Sequence, residues 1–455
     1  MWSNPRLFHL GILLLLLLAF TPKAHADITV LLEEPYSYDG ALAGTGHAAV
    51  YLNRVCAASP VVLRRCRLGE HGVVISRYNR IAGYDWIAIP LIPYLYAVED
   101  PEDVPLYADH KLVAFLRDQY RRSHLEELAP DTPSGEAPKG DWVQLVGSSY
   151  DRTSYGFQIE TSAAQDDALI AWFNSHPNRA AYRVLSSNCA DFVREVVNFY
   201  YPHAVSRGFI TDLEITTPKH AAKSLVKYSR RHPDLELKRL VFPQVPGTVK
   251  RSRPVRGVLE SVFRAKKYVL PLAVFHPLVA GGVTSVYLLG DRFNPARDTL
   301  VFNVDGEPTL PVTKAERRTY SGNLKAMIAA DSENGAERDG NTWKHFLQDA
   351  DMKMDQSGQA ILHAPFGNES VEMGINRDDL VRSNVPVDLQ KGLVEARLGQ
   401  ELSSGRAPRT SGDQLREDWQ LLQRINSTEQ AETSKLLSDV PRQRRVPPAT
   451  DSHGN

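Results

Sequence analysis

Cys189 is the residue in this chain whose type and surroundings point most directly to chemistry. The chain has 3 cysteines, an odd number, and Cys56 and Cys66 lie close together while Cys189 is far from both. A disulfide between Cys56 and Cys66 would close a short loop and stabilise the protein by about 3 kcal/mol. Cys189 would then be a free thiol in an oxidising compartment, which is unusual. Such a thiol is either an apolar core residue or a nucleophile.

The residues around Cys189 predict a helix start. Asn188 is a good N-cap, and Asp191 is placed to reach back to the cap. Cys189 then occupies the first helical position, where backbone N–H groups and the helix dipole favour negative charge. We therefore expect a lowered thiol pKa and a nucleophilic Cys189. We expect the oxyanion of the reaction to lie near Asn188 and the backbone N–H of Cys189.

A cysteine nucleophile needs a base, usually histidine, and a third polar group that orients the base. His47 is the candidate base, because it begins an apolar run predicted to be a strand and has small neighbours that leave room for a substrate. His71 begins the next predicted strand and is the candidate for the orienting residue. Tyr51 and Asn53 compete for that role, because strand alternation places them on the face of His47.

Residues 1–26 predict that the chain is exported. Arg6 precedes an apolar run at 10–20, and Ala24-His25-Ala26 has the small-x-small pattern that signal peptidase accepts. The run is about half of the roughly 20 residues that a spanning helix needs. We therefore prefer cleavage before Asp27 to an uncleaved anchor, and expect a mature protein in the periplasm or cell envelope.

The elements that must position these residues alternate between short strands and helices. Apolar runs predict strands at 28–32, 47–52, 71–76 and 154–160. Apolar residues at helical spacing predict helices at 106–128, 162–175 and 189–201. This order predicts an α+β domain over residues 27–245, with a small antiparallel sheet and a helix that carries Cys189.

Three further segments are predicted beyond residue 245. Residues 246–290 join a basic stretch to an apolar one, and the basic flank is on the wrong side for the positive-inside rule. We therefore prefer a buried or membrane-surface element to a spanning helix, and contact with lipid head groups through 250–290 is a second option. Residues 291–402 are expected to form a small C-terminal domain. Residues 403–455 are polar and predict a mostly disordered tail, with one helix around 415–425.

Composition and missing motifs exclude several classes of function. The 53 basic and 54 acidic side chains balance, so no nucleic-acid partner is predicted. The sequence has no HExxH, paired CxxC or EF-hand pattern, and no metal or cofactor is predicted. The glycines of 44–49 resemble the glycine pattern of dinucleotide-binding loops. That pattern opens a helix, whereas these glycines precede a predicted strand, so no dinucleotide site is predicted. Without a Gly-x-Ser-x-Gly elbow, a serine hydrolase is disfavoured.

Two short motifs carry a family resemblance. Gly46-His47 opens an apolar strand, and Asn188-Cys189-Ala190-Asp191-Phe192 follows much later at a helix start. This arrangement resembles the circularly permuted NlpC/P60 cysteine hydrolases, which include the lecithin retinol acyltransferase-like group. The resemblance covers His47 to about Tyr201. It implies a papain-like fold, Cys189 as nucleophile, His47 as base, and a third polar residue on the next strand, where His71 lies.

These observations predict an exported cysteine hydrolase that cleaves an amide bond in a cell-wall peptide or a protein. Cys189 would attack the carbonyl carbon, and water would resolve the thioacyl intermediate. Two alternatives stay open. The domain is a non-catalytic cell-envelope binding or scaffold module with Cys189 packed in its core, or it is a lipid acyltransferase.

Overall fold

The computed structural model describes residues 26–439 with internal gaps. The gaps are 37–44, 80, 180–181, 184, 208–214, 258–259, 305, 334–341, 357, 368, 383–384 and 404–409, and within 261–292 only 274–278, 281–282 and 284–285 are described. The predicted signal peptide, apart from Ala26, and the end of the predicted tail lie outside the described residues.

Seven strands form the central sheet. The first nine strands are β1 Ala26–Glu33, β2 His47–Leu52, β3 Val55–Ser59, β4 Val62–Arg65, β5 Val73–Arg77, β6 Trp86–Pro90, β7 Ser154–Thr161, β8 Lys238–Phe242 and β9 Leu300–Val301. The sheet has the order β6-β5-β2-β1-β7-β8-β9, and its strand pairs are antiparallel except β8 with β9. Strands β3 and β4 form a separate hairpin, and a disulfide joins Cys56 to Cys66 there.

Helices cover both faces of the central sheet. Those before residue 230 are α1 Leu91–Tyr96, α2 His110–His124, α3 Ser148–Asp151, α4 Ala163–Ser175, α5 Cys189–Tyr200 and α6 Pro218–Ser229. Helices α4, α5 and α6 pack on one face through residues such as Phe173, Val193 and Leu225. Helices α1 and α2 pack on the other. Residues 28–32 of β1 are buried throughout, as expected for a strand covered on both faces. The mixed α+β class predicted from the sequence is confirmed.

The C-terminal region packs against the second face of the sheet. It contains α7 Lys314–Glu333, α8 Thr342–Asp349, β10 Asp351–Met354, β11 Ala360–Phe366, β12 Glu369–Gly374, α9 Arg377–Arg382, α10 Val387–Ser403 and α11 Gly412–Asp439. The rings of Tyr107 and Trp343 meet edge to face at 4.6 Å, and Arg397 Nη1 donates to Leu106 O at 2.6 Å. Its apolar residues belong to the same cluster as those of α1 and α2. The predicted boundary is therefore corrected: residues 291–402 do not form a separate domain, because β9 joins the main sheet and the core is shared.

The end of the chain is more ordered than the sequence predicted. Helix α11, Gly412–Asp439, extends well beyond the helix expected around 415–425. Its Leu415, Leu421, Leu422 and Ile425 are buried. These residues recur on one side of the helix, so an otherwise polar segment has an apolar face to pack. The prediction of disorder is wrong for this part of 403–455.

The apolar stretch at 268–290 is exposed wherever it is described. Val274, Phe275 and Leu278 have relative exposures of 69%, 75% and 91%. These positions therefore do not fit the buried element that was one of the two preferred interpretations. Among the described residues, no helix has both the length and the apolar character that crossing a membrane requires.

Candidate active site

Helix α5 begins with the predicted cap. Asn188 Oδ1 accepts from the N–H groups of Ala190 at 2.8 Å and Asp191 at 3.0 Å, and Asn188 N–H donates to Asp191 Oδ2 at 3.4 Å. Asn188 Nδ2 donates to Thr216 O at 3.1 Å, which ties the cap to the segment before α6. The side chain is thus committed to holding the helix start. Of the two predicted oxyanion donors, Asn188 and the backbone N–H of Cys189, the backbone N–H is therefore the better candidate.

Cys189 is the first residue of α5, and the residue is 7% exposed. Burial raises the pKa of its thiol to about 11, although N–H groups of Ala48, Ala190 and Cys189 itself hydrogen-bond to the sulfur and oppose the rise. The prediction of a lowered thiol pKa is therefore wrong for this conformation. Packing of α5 against β2 removes water from the sulfur, and this cost exceeds the gain from the helix start.

The sulfur of Cys189 lies beside the backbone of His47. The N–H that donates to it from β2 belongs to Ala48, the residue that directly follows His47. By standard bond lengths, a sulfur in this position is within about 6 Å of His47 Cα. None of the described hydrogen bonds joins the thiol to the His47 ring. The structure thus brings the two predicted residues together at the start of β2, with the imidazole turned towards another partner.

That partner is Ser76, on the neighbouring strand β5. Ser76 Oγ lies 2.9 Å from His47 Nε2 and donates its proton to Ala48 O at 2.8 Å. A hydroxyl has one proton to give, so Ser76 Oγ must accept from an Nε2–H group of a neutral His47. This arrangement leaves His47 Nδ1 unprotonated and able to act as a base. The Tyr78 ring stacks on the imidazole at 5.3 Å and 24°.

The strand register corrects the role given to His71. Strands β2 and β5 are antiparallel, and Leu52 pairs with Val73, so the start of β5 lies beside the end of β2. His71 therefore lies at the opposite end of β2 from His47, about 16 Å away at the usual rise per residue. Tyr51 donates its hydroxyl proton to His71 O at 2.6 Å. Ser76, near the other end of β5, makes the contact with His47 that was expected of His71.

Asn53, the other candidate for the residue that orients His47, is hydrogen-bonded to Asp27. Asn53 Oδ1 accepts from Asp27 N–H at 2.8 Å, and Asn53 Nδ2 donates to Asp27 Oδ2 at 3.1 Å. Asn53, the residue that follows β2, is therefore tied to the beginning of β1. Neither of these hydrogen bonds involves His47.

A buried ion pair lies next to His47, and the sequence did not predict it. Glu33 pairs with His47 across β1 and β2, and its side chain is 1% exposed. Glu33 Oε2 lies 3.2 Å from Arg152 Nη1, and the Tyr94 hydroxyl donates to Glu33 Oε1. Burial, with the nearby positive charge of Arg152, lowers the pKa of His47 to about 3. The imidazole is therefore neutral at neutral pH.

No described cluster of side chains fits a metal. The group of potential ligands that lies close together is Cys56, Cys66 and Glu70. Its two sulfurs are already joined in the disulfide and are not thiolates, the form that binds metal. What the Cys189 site can supply is a nucleophile, a neutral base and backbone donors.

The raised thiol pKa gives a testable pH dependence. We expect iodoacetamide to alkylate native Cys189 slowly at pH 7, with a rate that rises about tenfold per pH unit up to pH 10. Only the thiolate reacts, and the pKa of about 11 makes it rare at neutral pH. Intact mass spectrometry at timed intervals measures the rate, and the thiol in urea should titrate near about 8.5. A native rate that is already constant between pH 6 and 8 would contradict this assignment.

Comparisons with known proteins give no family. No protein-family model matches the sequence, and no curated protein matches it. One solved structure that does match is the type VI secretion system effector TseH, at 15% identity and a TM-score of 0.22, covering 45% of this chain and 90% of that chain. A likeness at this level carries no argument about fold or function.

Proposed function

We propose that this protein is an exported cysteine hydrolase with a circularly permuted papain-like domain of the NlpC/P60 type. In this proposal it acts in the periplasm or cell envelope and cleaves an amide bond in a cell-wall peptide or a protein. The observation that carries the proposal is the Cys189 thiol at the start of α5, hydrogen-bonded to the N–H that follows His47. The substrate class follows from the predicted export and from the resemblance in sequence.

The proposed reaction starts from an uncharged pair. His47 Nδ1 takes the thiol proton as Cys189 Sγ bonds to the carbonyl carbon, and the backbone N–H of Cys189 donates to the oxyanion. Collapse of the tetrahedral intermediate breaks the C–N bond, and the leaving amine receives the proton from His47. Water then attacks the thioacyl carbon with His47 as base, which releases the acid and restores the thiol.

Hydrolysis of a cell-wall or protein substrate tests this proposal. Mature protein, residues 27–455, is incubated with purified peptidoglycan or with unfolded casein, and new primary amines are measured between pH 5 and 9. We expect amine release from one of these substrates and none from the Cys189→Ala variant. If folded wild-type protein releases no amine from either, amide hydrolysis is contradicted and the binding-module interpretation takes its place.

Ser76 is expected to act as a positioning residue for His47. Ser76→Ala removes the acceptor that fixes the Nε2–H tautomer, so we expect kcat to fall about 10–100-fold with little change in KM. Ser76→Thr keeps the hydroxyl and should recover much of the loss. Ser229→Ala, a buried serine on α6, is the matched control and should leave kcat unchanged. Equal kcat values for Ser76→Ala and wild type would remove Ser76 from the site.

Two observations favour the alternatives. The buried, protonated state of Cys189 is also what a structural thiol shows, and it favours a binding or scaffold module. Such a module would bind peptidoglycan equally well after Cys189→Ser. The exposed Phe275 and Leu278, which follow the basic stretch at 250–267, favour a membrane-surface contact and a lipid acyltransferase. That function would transfer acyl groups from phospholipid vesicles and would lose the activity with Cys189→Ala.

A further inference from the structure

A cavity lies between the sheet and the C-terminal region, away from the Cys189 site. Its volume is about 780 Å³, and its lining comes from the segments at 101–106 and 243–252, from residues 302–304 and Thr309, and from α9, α10 and α11. Cavities that hold small molecules usually measure about 300–1,000 Å³. Neither Cys189 nor His47 lines it. A ligand in this cavity would therefore not touch the proposed nucleophile or base.

One wall of this cavity is apolar. It consists of Pro105 and Leu106 before α2, Val245 after β8, and Phe302 and Val304 after β9. Leu106 is buried, and the Phe302 ring stacks on Phe242 at 4.3 Å. These contacts hold the wall in place without a ligand. An apolar body of a small molecule would be removed from water by binding against it.

The arginine side chains that line the cavity already donate hydrogen bonds to protein groups. Arg397 Nε donates to Asp418 Oδ2 at 2.8 Å, and Arg377 donates to both Glu417 and Asp418. Arg251 Nη1 donates to Gln244 O at 2.8 Å. These three are the arginines of the lining, and the described lining contains no lysine. An anionic ligand would have to compete with the existing partners of each guanidinium.

The acidic side chains of the lining outnumber its arginines. Five carboxyl groups line the cavity, belonging to Glu102, Asp378, Glu401, Asp413 and Glu417. Within the described part of the chain, Glu102 and Asp378 form no ion pair, and both side chains are exposed at the cavity. Glu102 is also close enough to Asp103 to raise the pKa of that carboxyl, together with burial and other acids. The cavity is therefore complementary to positive charge.

A buried carboxyl group lies deeper in the lining. The Glu401 side chain is 4% exposed and lies 3.2 Å from Arg397 Nη2. Burial raises the pKa of Glu401 to about 8, against the opposing charge of Arg397, and Asp418 adds to the rise. Arg377 also faces this group from α9. A cation entering the cavity would favour the ionised form of Glu401.

We propose that this cavity binds a small amphipathic organic cation, with its ammonium group towards Glu102 and Asp378 and its apolar body against Val245, Phe302 and Val304. The test uses calorimetry on the mature protein with two probes of the same shape, 4-phenylbutylamine and 4-phenylbutyrate. We expect the amine to bind at least tenfold more tightly than the carboxylate. Equal binding, tighter binding of the carboxylate, or binding of neither would overturn the proposal.

Two variants locate the binding. Glu102→Gln with Asp378→Asn changes exposed side chains only and should weaken amine binding at least fivefold, while Glu372→Gln, an exposed acid on β12, should have no effect. Val304→Trp fills the cavity and should abolish binding, with the thermal midpoint showing that the variant is folded. Unchanged amine affinity in the charge variant, or in a folded Val304→Trp protein, would overturn the assignment.

Discussion

Replacing Cys189 with alanine should abolish amide hydrolysis, and replacing His47 with alanine should lower kcat/KM about a thousandfold or more. Cys189 supplies the atom that forms the covalent bond, so no other group can carry the reaction. His47 is the described base beside it, and the thiol pKa of about 11 leaves almost no thiolate that could react without a base. Both losses are measured as kcat/KM for the substrate that releases amine.

The chain offers a matched control for the histidine. His71 begins the segment before β5, is exposed, and lies at the far end of β2 from His47. His71→Ala should therefore retain wild-type kcat/KM. Loss of activity in His71→Ala, with full activity in His47→Ala, would reverse the assignment of the base. Far-ultraviolet circular dichroism and the urea midpoint show whether each variant is folded.

Arg152→Met should destabilise the protein by about 3–5 kcal/mol. The substitution leaves the Glu33 carboxylate buried without its positive partner, and breaking a buried ion pair from one side costs about this much. The change is measured as the free energy of unfolding in urea, with the disulfide intact. Adding Glu33→Gln to Arg152→Met removes the uncompensated charge, so the double variant should recover part of the loss.

A half-buried ion pair nearer the surface provides the comparison. Arg64 Nη2 lies 2.7 Å from Glu70 Oε1, with both side chains 32% exposed. Arg64→Met should cost only about 0–1 kcal/mol, because water screens this pair in the folded protein. A cost below about 1 kcal/mol for Arg152→Met would mean that Glu33 is not held as a buried carboxylate. This result would contradict the buried ion pair between Glu33 and Arg152 beside His47.

The sequence predicted well those features that depend on neighbouring residues. The cap at Asn188, the return contact from Asp191 and the start of α5 at Cys189 all follow from residue types three positions apart. The strand at His47 follows from a short apolar run. These features are local, so the chemistry of the nearest residues is enough to predict them.

Features that depend on distant contacts were predicted less well. The predicted role of His71 was wrong because the antiparallel register decides which end of β5 lies beside His47. The order of residues along the chain does not show this register. The prediction of a lowered pKa for the Cys189 thiol was wrong because this pKa depends on how closely α5 packs on β2. Glu33 and Arg152 are far apart in the chain, and their pairing appears only once β1 and the segment before β7 are neighbours. Ser76 was recognisable only as a polar residue near the end of a predicted strand.

The C-terminal region shows the same limit. Leu415 to Ile425 has helical spacing, and the sequence predicted a short helix there. Its stability comes from contacts with α10, including Arg397 with the fully buried Asp418. A polar sequence with one apolar face is disordered alone and helical against a partner.

Detection of the acyl-enzyme tests the central claim most directly. The mature protein is mixed with the p-nitrophenyl ester of N-acetyl-alanine, quenched in acid at short times, and examined by intact mass spectrometry and peptide mapping. We expect one added acyl group on Cys189. Neutral hydroxylamine should remove it, it should form more slowly in His47→Ala, and it should be absent from Cys189→Ala. A folded wild-type protein that acquires no acyl group, or acquires it only on another residue, would contradict the claim that Cys189 is the nucleophile.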